Sequence, residues 1–289
     1  MSSKSFRVLV ATDGSADARA AIATAISIPW PARTQVRIVA ARRTRAAYRR
    51  SILLSALDRG ADAAAETARR SLSRRWPDVD VVVVDKVPVK GILDEAGKFS
   101  ADVIVIGWRG HGAFRRLLMG SVSRAVVRGA TCSVLVVGRR VRVRRIVVGL
   151  DGSAMARRAL AVLEGLLPPP DGRVVLHTVV EVMAVPSHVA VPRAADVSRE
   201  VKRINTKRAK AAAKELNRAA ARLTRAGWHT RTVLTSGEPL RDLLTTVAGT
   251  RSQLLVVGAR GASGVRQLLL GSVAEGALTR SSVPVLIAR

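Results

Sequence analysis

The chain has 289 residues, 48% of them apolar and only 3% aromatic, so one large domain or two ordinary ones can bury cores of Val, Leu, Ile and Ala. So few rings leave little for base stacking, which argues against a reader of single-stranded nucleic acid. Lys and Arg number 49 against 21 Asp and Glu, and the net charge of +28 attracts polyanions in general.

The excess is spread evenly: 26 basic and 11 acidic residues precede Val143, and 23 and 10 follow from there. A compact basic tail is excluded, and two readings stay open, a polyanion or nucleic-acid partner and a mere compositional bias toward Arg. No segment approaches the ~20 apolar residues needed to span a bilayer. The expectation is a soluble, cytoplasmic protein with no membrane partner.

In chain order, Arg7 to Ala11 reads as a strand that ends at Thr12-Asp13-Gly14-Ser15, where an Ala-rich helix begins with Asp or Ser suited to cap it. Strands follow at Gln35 to Ala40, Asp80 to Asp85, Asp102 to Ile106 and Ser133 to Val137, with a helix from about Ser51 to Arg75 among them. Their continuous Val/Ile/Leu runs imply strands covered on both faces, hence parallel βαβ units. Cys132, the single cysteine, permits no intramolecular disulfide and no cysteine metal cluster, and reads as a small core residue. Asp94 and Glu95 are adjacent on a predicted helix, so they point apart and make no working carboxylate pair.

From Arg145 the pattern starts again. Arg145 to Gly149 is followed by Leu150-Asp151-Gly152-Ser153 and a second Ala-rich helix, and strands are predicted at Arg173 to Val179, His229 to Leu234, Gln253 to Val257 and Val283 to Ala288. About thirteen extra residues, near Met183 to Ala195, precede a helix predicted over Asp196 to Arg225. One face of that helix carries Arg199, Lys202, Arg203, Lys207, Arg208, Lys210, Lys214, Arg218 and Arg222. Such a face is solvated unless an acidic partner covers it.

The most informative spacing follows the fourth strand of each half. Gly107-x2-Gly110-x9-Gly120-Ser121 recurs as Gly258-x2-Gly261-x9-Gly271-Ser272. Ligands of open parallel sheets bind beyond the carboxyl ends of strands where the strand order reverses. If strands one and four are neighbours there, Asp13 and the Gly107 loop share a crevice. Gly107 and Gly110 would let backbone approach a ligand, and Gly120-Ser121 would open a helix whose free N–H groups favour phosphate. Ser121 and Ser123 could add hydroxyl donors, and Arg109, Arg115, Arg116, Arg260 and Arg266 charge. Tight strand-to-helix turns also use glycine for steric reasons alone.

Asp-Gly-Ser after strand one, joined to G-x2-G-x9-G-S after strand four, resembles the universal stress protein family in its ATP-binding subgroup, as a tandem pair over nearly the whole chain. The resemblance implies an α/β fold: two open five-stranded parallel-sheet domains, Rossmann-like and similar to adenine nucleotide alpha hydrolases, with helices on both faces. They would occupy residues 1–138 and 145–289, with a basic linker at 139–144. It further implies an intramolecular pseudo-dimer through the last strands, with a further homo-oligomer open, and ATP, with or without Mg, as cofactor.

Carried over by position, Ala11, Thr12 and Asp13 would hold the adenosine end, with Ala41 lining the base. Gly107, Arg109, Gly110, Gly120, Ser121, Val122 and Ser123 would surround ribose and phosphates. The second-half counterparts are Gly149, Leu150, Asp151, Thr178, Gly258, Arg260, Gly261, Gly271, Ser272, Val273 and Ala274. Leu150 replaces Thr12 and Ala274 replaces Ser123, so a weaker second site is expected.

The glycine loops supply neither a positioned base nor a metal-holding carboxylate. No G-x4-G-K-[ST] occurs, the loop histidine His111 has Ala262 as its counterpart, and His177, His188 and His229 lack metal-ligand spacing. A regulatory or stress-response nucleotide binder is therefore expected rather than a fast enzyme, with slow ATP hydrolysis at most. The alternatives are a basic accessory nucleic-acid binder and a structural dimerisation module with vestigial sites.

Overall fold

A computed structural model of the chain describes residues 5–42, 52–110, 119–183, 194–261 and 270–289. The first half runs β1 (Phe6–Thr12), α1 (Ala16–Ser27), β2 (Thr34–Ala41), α2 (Ile52–Leu72), β3 (Asp80–Val84), α3 (Pro88–Phe99), β4 (Val103–Gly107), α4 (Ser121–Gly129) and β5 (Ser133–Val137). The second repeats it as β6 (Arg145–Gly149), α5 (Ala154–Gly165), β7 (Arg173–Val180), α6 (Ala194–Arg225), β8 (His229–Ser236), α7 (Pro239–Gly249), β9 (Leu254–Gly258), α8 (Ser272–Arg280) and β10 (Val285–Ala288).

All pairing within a half is parallel, as the fully apolar strands require. The halves then join edge to edge: β10 lies antiparallel to β5, with Leu286 opposite Leu135. One sheet results, in the order β3-β2-β1-β4-β5-β10-β9-β6-β7-β8. Neither last strand is left as an exposed apolar edge. The order reverses between β1 and β4 and again between β6 and β9, and at each reversal a crevice opens at the strand ends.

Strand alternation sends side chains into two layers. Val8, Val10, Ile38, Leu163 and Leu223 are buried among α1, α2, α5 and α6, whereas Leu9, Ile104, Val126, Leu243 and Leu278 are buried among α3, α4, α7 and α8. Each such side chain contributes about 1.5–3 kcal/mol on burial. Both clusters run through the two halves, so the β5–β10 seam is continuous with the core on either face.

The connector is fixed by the same alternation. Arg139, Arg140 and Arg142 point outward, while Val143 is buried. Thr24 Oγ1 accepts the Val141 N–H at 3.2 Å, and Ser27 Oγ donates to Val141 O at 3.0 Å. Among the described residues no helix is long and apolar enough to cross a membrane.

Candidate functional site

Asp13 leaves β1 beside the point where Gly107 ends β4. Short-range bonds shape the first turn: Thr12 Oγ1 accepts the Gly14 N–H at 3.2 Å and Asp13 Oδ1 the Ser15 N–H at 3.0 Å. Ser15 caps α1, its Oγ accepting the Ala18 N–H at 3.2 Å.

The same first turn grips the β4 loop. Ser15 Oγ donates to Arg109 O at 3.1 Å, and Asp17 Oδ2 accepts the Arg109 N–H at 3.0 Å, so both main-chain groups of Arg109 are held. Burial raises the Asp17 carboxyl above its ordinary pKa, with the Arg109 amide pulling the other way. The Arg109 guanidinium stacks over the Trp108 ring at 4.3 Å.

The glycines answer first to protein atoms. A Cβ on Gly107 would lie 2.8 Å from the backbone of Asp17 and Ala18, and one on Gly110 would lie 2.3 Å from Asp13 Oδ2. Close packing of the loop on α1 therefore requires a glycine at 107 whether or not a ligand approaches, whereas at 110 the neighbour is the end of the Asp13 side chain, which can swing aside.

Gly120 differs. Its N–H donates to Trp108 O at 2.9 Å, and as N-cap of α4 it has no side chain to cap with. The first-turn amides of Ser121, Val122 and Ser123 thus carry no side-chain cap, an arrangement that favours an anion. Ser121 is exposed beside them. Ser123 is not: it is buried, and its hydroxyl donates to Gly107 O at 2.7 Å. The donor expected to meet phosphate is spent on joining α4 to the end of β4.

The second crevice repeats this plan with fewer ties. Ser153 Oγ caps α5 and donates to Arg260 O at 3.3 Å, and Asp151 Oδ1 accepts the Ser153 N–H at 3.0 Å. Met155 stands where Asp17 does, so Arg260 lacks that carboxylate. Gly258 packs on Met155, Gly261 sits beside Asp151, and Gly271 opens α8 ahead of Ser272 and Val273 with no side-chain cap. Ala274, at the Ser123 position, is buried, so the substitution removes an internal bond rather than a ligand contact.

Ala11 and Thr12 are buried, Asp13 is exposed and Ala41 is half-buried at the end of β2, while Gly149, Leu150 and Asp151 occupy the matching mouth. Thr178 does not match Ala41. Arg7 pairs with Gln35 and Arg145 with Arg173, which makes Val179 the counterpart of Ala41 and turns Thr178 toward the opposite layer. His111, Arg115, Arg116, His188, Ala262 and Arg266 lie outside the described residues, as does most of the extra segment before α6.

Other candidates resolve into structure. Asp94 pairs with Lys86 and Glu95 with Arg37, each at 2.6–2.7 Å and in different directions. Cys132 is half-buried just ahead of β5, and burial pushes its thiol up to about 11. Among the described residues no group of three His, Cys, Asp or Glu could hold a metal ion.

Sequence reasoning passed over Asp17 and Trp108. An acid in a helix's first turn is ordinary dipole chemistry, so nothing marks Asp17 as a ligand of a loop 92 residues away. Trp108 Nε1 donates to Leu278 O at 3.0 Å, tying the first loop to α8 of the other half.

The model of the "Universal stress protein family" matches residues 5–138 and 142–289. Universal stress protein Rv2005c of Mycobacterium tuberculosis is 31% identical over 225 residues, which is 72% of this chain and 68% of that protein. Rv2623 of the same species, also a universal stress protein, is 29% identical over 79% of this chain and 74% of its own length. The crystal structure of a universal stress protein from Archaeoglobus fulgidus shares the fold, with a TM-score of 0.63, 18% identity and 98% of both chains covered. Two matched repeats, each with its own crevice at a strand-order reversal, make this chain a tandem two-domain member of the universal stress protein family.

Proposed function

We propose that this stress protein binds adenine nucleotide, ATP with or without Mg, at the two crevices, and that the first is the tighter site. The observation carrying this reading is the main chain of Arg109, held at N–H and O by α1, next to the side-chain-free N-terminus of α4. A loop fixed before the ligand arrives costs less ordering on binding.

In this reading the amides at Ser121 and Val122 and the Arg109 guanidinium meet the phosphates, while Ala11, Thr12, Asp13 and Ala41 line the adenosine end. Any Mg would come with the nucleotide, and Asp13, exposed at the end of β1, would be a carboxylate available to it. In the second crevice Gly149, Leu150, Asp151, Arg260, Gly271, Ser272 and Val273 play these parts without a counterpart of Asp17. The role is regulatory, with nucleotide occupancy as the signal, and hydrolysis is slow at most.

Native mass spectrometry of freshly purified protein tests this directly. One tightly held adenine nucleotide per chain, rising toward two when ATP is added, is expected. A chain that stays bare at millimolar ATP refutes the reading.

A further inference from the structure

The surface of α6 carries charge that neither crevice uses. Arg199, Arg203, Lys207, Lys210, Lys214 and Arg218 recur every three or four residues, so they form one stripe along the helix, and all six are exposed. The opposite face holds the buried Leu216, Ala219 and Leu223. The stripe therefore looks straight out from the body of the second half.

Arg199, Arg203 and Arg218 pair with Asp196, Glu200 and Glu215 of the same helix. Such exposed pairs are weak and yield readily to a stronger anion. Lys207, Lys210 and Lys214 make no ion pair among the described residues. They lie in the middle of the stripe.

Compositional bias does not account for this. The bias of the chain is toward Arg, yet four of its eight lysines fall in α6. The equivalent helix of the first half, α2, balances Asp58, Asp62 and Glu66 against Arg59, Arg69 and Arg70. Two copies of one unit in one chain thus differ in the charge of this helix surface, while both bury an apolar face against the sheet.

We propose that the α6 stripe docks double-stranded nucleic acid through its phosphate backbone, without reading bases. From Arg203 to Arg218 the helix rises about 22 Å, with a cation roughly every 6 Å, a rigid linear charge suited to a duplex backbone. The stripe has no aromatic side chain to stack on single-stranded bases. It also has no apolar side chain to enter a lipid surface.

The test uses a fluorescently labelled duplex of about 20 base pairs and mixed sequence, with anisotropy followed across a salt series. The whole chain is compared with the triple variant K207E/K210E/K214E and with R139E/R140E/R142E, which removes equal charge from the exposed connector. The expected result is at least a tenfold loss of affinity in the α6 variant and a log–log salt slope shallower by about 2–3, with the connector variant close to the parent. Circular dichroism checks folding, and K207Q/K210Q/K214Q replaces the reversal if that variant is not folded.

Equal loss in both triples would assign binding to overall charge and overturn the proposal. Unchanged duplex binding in the α6 variant overturns it too. Phosphatidylserine vesicles in parallel detect the lipid alternative: loss of vesicle binding with duplex binding intact moves the stripe to membranes and ends this assignment.

Discussion

Asp17 Oδ2 accepts the main-chain N–H of Arg109 at 3.0 Å, and Met155, at the same place in the second half, offers Arg260 no such acceptor. The first crevice is therefore built with one more tie than the second. Asp17→Ala leaves a half-buried amide without its partner, at a cost of about 1–3 kcal/mol. We expect ATP affinity at the first site to fall about tenfold while the second site is unchanged, as read by calorimetry. An identical loss at both sites contradicts the asymmetry.

Gly120 and Gly271 give a second measure of the same difference. A Cβ at Gly120 would lie 3.2 Å from Trp108 O and 3.3 Å from Arg109 Cα, both backbone atoms that cannot swing aside. At Gly271 the nearest atoms, Arg260 Cα and Gly261 N, are 3.4 Å away, an ordinary contact. Gly120→Val should abolish most nucleotide binding, and Gly271→Val should reduce the total less. Equal effects in titration calorimetry refute the ranking.

The architecture was legible because its signals are local or repeated. Apolar runs mark ten strands, and the spacing of the glycines points to two crevices at matching places. Strand ends were less legible, since single side chains decide them. Val283 is apolar, but Pro284 lacks an N–H, and β10 starts only at Val285, with the Val283 amide donating to Ser281 Oγ at 3.2 Å. At the start of β9, Leu254 is the first strand residue, while Gln253 just ahead of it uses its Oε1 to accept the amides of Arg144 and Arg145 at 3.1 and 2.8 Å. The inward turn of Ser123 was not legible at all: a hydroxyl at a helix N-terminus suits an anion and a neighbouring carbonyl equally well, and the fold alone brings Gly107 O within reach.

Buried His177 should make the stability of the protein depend on pH. Thr235 commits its hydroxyl proton to Asp242 Oδ2 at 2.8 Å, so its oxygen accepts from His177 Nε2 at 2.9 Å, and Nδ1 is left to accept from Thr246 at 3.0 Å. This tautomer follows from the network. Burial lowers the folded-state pKa below the ordinary value of 6.5, with Asp242 opposing. Below that value the unfolded chain binds the proton that the folded chain refuses, so this contribution to stability is present at neutral pH and falls as the solution is acidified. Between about pH 7.5 and about pH 5.5 the melting temperature should drop, and His177→Gln should lower it overall while flattening the drop. A variant with an unflattened profile assigns the acid sensitivity elsewhere.

Arg289 ties the two halves at a helix end. Its Nη2 donates to Val127 O at 2.7 Å and Arg128 O at 3.4 Å, the last carbonyls of α4, and its own N–H donates to Ser133 Oγ at 3.3 Å. Burial lowers its pKa, but a guanidinium stays charged and complements the negative end of the helix. Arg289→Ala should destabilise the protein by about 1–3 kcal/mol, which for a chain of this size lowers the melting temperature by a few degrees. Arg289→Lys should recover only part of this, because the shorter lysine side chain ends short of the place of Nη2, the one nitrogen that meets both carbonyls. Glu275 provides the comparison: it also crosses the seam, pairing with Arg128 at 2.9 Å, but both groups are exposed. Glu275→Ala should therefore cost well under about 1 kcal/mol. Scanning calorimetry separates the two, and a cost for Glu275→Ala as large as that for Arg289→Ala would show that exposed charge, not the buried tie to α4, holds the seam.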